Sequence, residues 1–76
     1  MNYVDGRPVQ LGDKVELAGG MKGVVVAILD ERLYSAGLEE NEWKYLEEGV
    51  LVQSPEAGLI HYTEPEDDFC LVEREG

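Results

Sequence analysis

The chain is poor in the residues from which cross-links and most active sites are built. It holds one cysteine, Cys70, so no disulfide can form within it, and a lone thiol fits a reducing compartment better than a secreted one. It holds one histidine, His61; a single Cys and a single His do not supply a structural zinc site. Nucleophilic catalysis needs Cys, Ser or Thr beside a base, and His61 with Cys70 is the one pairing on offer. Cys70, set between Phe69 and Leu71, reads more simply as a strand residue that packs or faces solvent. No apolar run approaches the roughly 18 residues of a membrane span. The first ten residues, MNYVDGRPVQ, lack the basic-then-apolar order of a signal peptide. A soluble, cytoplasmic protein without cofactor or metal is the expectation.

Basic residues are also scarce, and what is present instead is acid. Lys plus Arg number 6 against 17 Asp plus Glu, a net charge of −11. The excess is lopsided. Residues 1–38 carry five acids and four bases, a net of −1, whereas residues 39–76 carry twelve acids and two bases, a net of −10. Such a field repels phosphate backbones and favours encounter with cationic surfaces, which disfavours nucleic acid as a ligand. Glu64 to Asp68 offers carboxylates, but it lacks the glycine and the closing glutamate of a calcium-binding helix–loop–helix. A solvated charge run is the plainer reading.

The 76 residues suffice for one domain, residues 1–76. A chain of this size buries only about 60% of the surface its unfolded form exposes, so its stability is marginal. Its organising stretch is Leu11 to Leu29, read as a hairpin. Val15 and Leu17 alternate with Lys14 and Glu16, a period-two pattern. Ala18-Gly19-Gly20-Met21 is the turn, since glycines accept the positive φ of tight loops. The second strand, Lys22 to Leu29, is nearly all aliphatic, and simple alternation puts Val24, Val26 and Ile28 on one face. The glycines here join two strands and do not open a helix, so no phosphate-cradling loop is implied.

Before the hairpin, Tyr3 and Val4 read as a short edge strand, followed by the turn Asp5-Gly6-Arg7-Pro8 and a second turn at Gly12-Asp13. After it, residues 30–48 form a longer irregular connection broken at Ser35-Ala36-Gly37. Leu38 to Glu48, LEENEWKYLEE, reads as a loop with one helical turn that lays Trp43 and Leu46 on the body of the domain; a strand presenting Trp43 and Tyr45 is the alternative. Strands follow at Gly49–Gln53, Leu59–Thr63 and Phe69–Glu73. Short strands with turn signals every eight to twelve residues predict an all-β fold, a small five-stranded SH3-like barrel, closed or half-closed, since closure spares a flat sheet bare edges and an uncovered apolar face.

Gly12-Asp13-Lys14-Val15 and Gly23-Val24-Val25 resemble the opening of KOW-type, SH3-like elements, in which a GD-x-V step and a G-x-V step begin successive strands. The resemblance spans about a quarter of the chain. It implies a small barrel and, in many such modules, RNA or ribosomal partners; this chain departs from them in having few and scattered bases. The second half, with Trp43 to Leu46, Gly49 to Val52 and Gly58 to Tyr62, is similar to small bacterial SH3-like proteins, some of them immunity proteins that neutralise a toxin. That likeness implies a protein-binding role.

The candidate binding residues are aromatics flanked by acids, a combination that protein interfaces set against Arg and Lys. They are Tyr45, Tyr62 and His61 with Glu42, Glu47, Glu48, Glu64, Glu66, Asp67 and Asp68; Trp43 is the ring most readily given to the core, and the sequence leaves core or surface open for it. The expectation is a non-enzymatic acidic module that docks a basic partner protein, such as a toxin, as an inhibitor or immunity protein would. The alternatives are a KOW-like nucleic-acid or ribosome-associated module, which requires Arg7, Lys14 and Lys22 to cluster, and a self-associating scaffold. Oligomeric state is left open by the sequence.

Overall fold

A computed structural model describes residues 2–35, 38–43, 45–64 and 69–73. It holds one antiparallel sheet built from β1 (Lys14–Glu16), β2 (Lys22–Ile28), β3 (Leu33–Tyr34), β4 (Val50–Ser54), β5 (Gly58–Tyr62) and β6 (Cys70–Glu73), with a single helical turn, α1 (Glu40–Trp43). The strand order is β5-β4-β2-β1-β6, and β3 lies along the half of β2 that β1 does not reach. The all-β expectation holds, with the two-residue β3 added inside the irregular connection.

The hairpin forms as its residues dictate. β1 pairs with β2 at Lys14↔Val24, Val15↔Gly23 and Glu16↔Lys22, and Gly19 and Gly20 take φ of 73° and 79° in the turn. Gly23 is required for packing. A Cβ there would lie 2.5 Å from Cγ1 of Val52, so the strand can pass over β4 only without a side chain.

Along β2 the expected face is wrong. The ladder to β4 runs Val24↔Gln53, Val25↔Val52, then Ala27↔Leu51 and Ile28↔Val50, with a bulge at Val26. The extra residue reverses the alternation. Val25 and Ile28 therefore point into the main core with Val15, Leu17, Val50 and Val52, whereas Ala27 and Leu29 join Leu51 on the opposite face. Val24 is 38% exposed. The sheet thus has two apolar clusters. The second is covered by the connection: Leu38, Trp43 and Leu46 pack on Ala27, Leu29 and Leu51. The single helical turn matches the expectation, and Trp43, left open between core and surface by the sequence, is half-buried against this second cluster.

Of the two expected forms, closed or half-closed, the described residues do not make the closed one. β5 and β6 end the sheet, and no ladder joins them among the described residues. Aromatic rings span the gap instead. Phe69, just ahead of β6 and 1% exposed, lies with its centroid 4.8 Å from Tyr62 on β5 and 5.3 Å from Tyr3. The N-terminal segment that supplies Tyr3 is a turn and not a strand: Asn2 and Pro8 form an isolated bridge, Tyr3 N donates to Arg7 O, and Val4 is exposed. Side-chain stacking over the open side replaces the backbone pairing that a closed barrel would use.

Candidate functional site

The connection that covers the second cluster also builds a surface groove. Leu46 N donates to Trp43 O at 3.0 Å, closing a turn that seats Leu46 on the sheet and leaves Tyr45 standing out, 71% exposed. Beyond it the chain is pinned at Gly49. Its amide donates to Asp30 Oδ1 and its carbonyl accepts from Leu29 N at 2.9 Å. Gly49 has φ of 93°, and a Cβ there would collide with the carbonyl of Tyr62. Glu47 and Glu48 are therefore carried on a wall held to β2, η-turn residues 29–31 and β5 at close range.

The opposite wall is β5. His61 lies on the outward side of the strand with exposed Thr63 just past its end, and His61 Nε2 donates to the Glu48 carbonyl at 2.9 Å, which fixes a proton on that nitrogen. Tyr45, Leu46, Glu47, Glu48, His61 and Thr63 line a groove of about 540 Å³. Leu46 and Glu47 are also the rim of a second depression of about 290 Å³, lined further by Leu29, Asp30, Arg32 and Tyr34. The groove is thus an aromatic ring beside two carboxylates on a braced turn, a set of groups suited to an ammonium or guanidinium with an apolar stem.

Of the residues singled out in the sequence, Tyr45, Glu47, Glu48 and His61 come together here. Tyr62 does not: it is half-buried, packed on Phe69 on the inner side of β5. Glu42, on α1, and Glu64, following Thr63, are exposed and line neither depression. Glu66, Asp67 and Asp68 lie outside the described residues. Sequence reasoning missed Leu46 and Thr63 as groove residues; the two-residue spacing of His61 and Thr63 was the available signal for the latter.

Other chemistry finds little to build on. His61 is engaged by the Glu48 carbonyl, with no hydrogen bond to Cys70. Among the described residues no three His, Cys, Asp or Glu side chains gather as a metal-binding group, and no helix is long and apolar enough to cross a membrane. Arg7 pairs with Asp5 at 2.6 Å and lines one depression, and Lys14 and Lys22 line another. Comparison of the chain with protein-family models, with curated proteins and with solved structures returned no match.

Proposed function

We propose that the chain is an acidic, SH3-like protein-binding module that acts without catalysis by docking a basic surface of a partner protein, in the manner of an inhibitor or immunity protein in the cytoplasm. The reading rests on one observation. Tyr45, exposed and braced by a turn pinned at Gly49, stands beside Glu47 and Glu48 at the mouth of a groove in the half of the chain that carries a net charge of −10. Long-range attraction steers a cationic surface to that half, and burial of the ring against an Arg or Lys stem then holds it. The net charge of −11 weighs against a nucleic-acid reading.

Affinity capture from cytoplasmic extract at low and high salt, with and without nuclease, tests the reading. A basic protein retained at low salt, lost at high salt and indifferent to nuclease supports it. Capture that nuclease abolishes would replace it with a nucleic-acid role.

A further inference from the structure

The outer face of the sheet is only half covered. Leu38, Trp43 and Leu46 close it over Ala27 and Leu51, but toward the β1–β2 hairpin no described residue lies over it. Val24 on β2 is 38% exposed there and Val72 on β6 is 54% exposed. Both line a mainly apolar depression of about 320 Å³. Burial of such aliphatic surface is favourable, and an exposed patch of this kind on a small domain marks a contact.

The rim identifies what the contact is with. Lys14 and Lys22 flank the patch, and cross-strand pairing sets Glu73 opposite Lys14 and Glu16 opposite Lys22. Among the described residues these four side chains, three lining the depression and Glu16 beside Lys22, sum to zero on a chain whose total is −11. The rim favours neither a cationic nor an anionic stranger, but it is complementary to itself, each sign being present twice. The one ion pair within it, Lys14 Nζ to Glu73 Oε2 at 3.7 Å, joins side chains that are more than half exposed, so it is a weak pair that can be exchanged for one across an interface.

We propose that this face is the contact between two copies of the chain, packed sheet to sheet about a twofold axis, with Val24 and Val72 at the centre and lysines meeting glutamates at the rim. The contact is separate from the Tyr45 groove and does not depend on the function proposed for it. A patch of this extent lies at the small end of protein interfaces, so the dimer is weak and forms at high protein concentration.

Sedimentation equilibrium over about 10 µM to 1 mM protein reads it, at about 0.15 M salt, where screening over about 8 Å damps the overall repulsion. The wild type is expected to show a reversible monomer–dimer equilibrium, and Val24→Glu with Val72→Glu is expected to weaken it at least tenfold. Two further variants make the test independent of orientation. Lys14→Glu with Lys22→Glu makes the rim wholly acidic, and Glu16→Lys with Glu73→Lys makes it wholly basic. Each alone is expected to stay monomeric, and the two mixed are expected to form a heterodimer. Circular dichroism melts confirm that each variant is folded, and the wild-type titration stands whether or not a variant folds. A wild type monomeric throughout, or a dimer that the valine and rim changes leave untouched, overturns the proposal.

Discussion

The hydroxyl of Tyr3 donates to Oδ2 of Asp13 across 2.6 Å, and both residues are buried, Asp13 completely. The same Oδ2 accepts the Gln10 amide at 2.9 Å, and the Asp13 carbonyl accepts from Val25 N at 2.9 Å. A carboxylate so placed ties the N-terminal segment, the turn before β1 and the middle of β2 into one knot, while the ring of Tyr3 supports Phe69.

Removing the hydroxyl therefore takes one donor from a fully buried carboxylate. Tyr3→Phe is expected to cost about 1–3 kcal/mol in urea unfolding, and Asp13→Ala at least as much, since it removes the oxygen that accepts from both the tyrosine hydroxyl and the Gln10 amide. A double-mutant cycle should return a coupling of about 1 kcal/mol or more between the two. Strictly additive losses would show that the pair does not act as a unit.

Gly49 is the second vulnerable point. Any side chain there meets the Tyr62 carbonyl, and its backbone is held at φ of 93°. Gly49→Ala is expected to cost about 2 kcal/mol or more and to free the Glu47–Glu48 wall. Gly58→Ala is the control: it also has positive φ, 78°, but open space around it, so it should cost about 1 kcal/mol. Equal losses at the two sites would contradict the steric account.

Trp43 caps the second cluster, yet its buried Nε1 has no hydrogen-bond partner among the described residues. Trp43→Phe keeps most of the packing and loses no bond, so it should stay within about 1 kcal/mol of wild type, whereas Trp43→Ala should lose about 3 kcal/mol. Chemical denaturation followed by far-ultraviolet circular dichroism separates the two cases. A Phe variant as weak as the Ala variant would mean that the indole N–H is satisfied in solution.

Tyr45 carries the functional reading. Being exposed, Tyr45→Ala should alter stability by less than about 0.5 kcal/mol. Binding of the captured basic partner, measured by calorimetry, should weaken by about 2 kcal/mol or more, roughly thirtyfold. Glu47→Gln with Glu48→Gln should lower the association rate and its salt dependence. Undiminished binding in both variants would remove the groove from the interface.

Much of this architecture is written locally. Val15 and Leu17 against Lys14 and Glu16, and the glycine pair that follows, specify the hairpin because period-two polarity and positive φ are properties of neighbouring residues. β2 defeats the same logic: Lys22 to Ile28 has no polar residue after Lys22, so nothing in the sequence marks the bulge that turns Val24 outward. The barrel fails to close for a related reason, since Phe69 and Tyr62 fill by stacking a gap that strand counting assigns to hydrogen bonds. At the groove, the acids around Tyr45 and Tyr62 look alike in the sequence. The distinguishing sign was Ile60, which shares Tyr62's side of β5 and draws it inward.

The bulge at Val26 sets the parity of everything beyond it. Excising that single residue would make Val25↔Val52 and Ala27↔Leu51 consecutive pairs of a regular ladder, so Ala27 and Leu29 would stay with the second cluster and Ile28 with the main core. Loss of an in-register residue such as Val52, paired with Val25 on one side and Ile60 on the other, would by contrast invert which layer the side chains beyond it belong to, so two single deletions in neighbouring strands would have opposite consequences for the same composition.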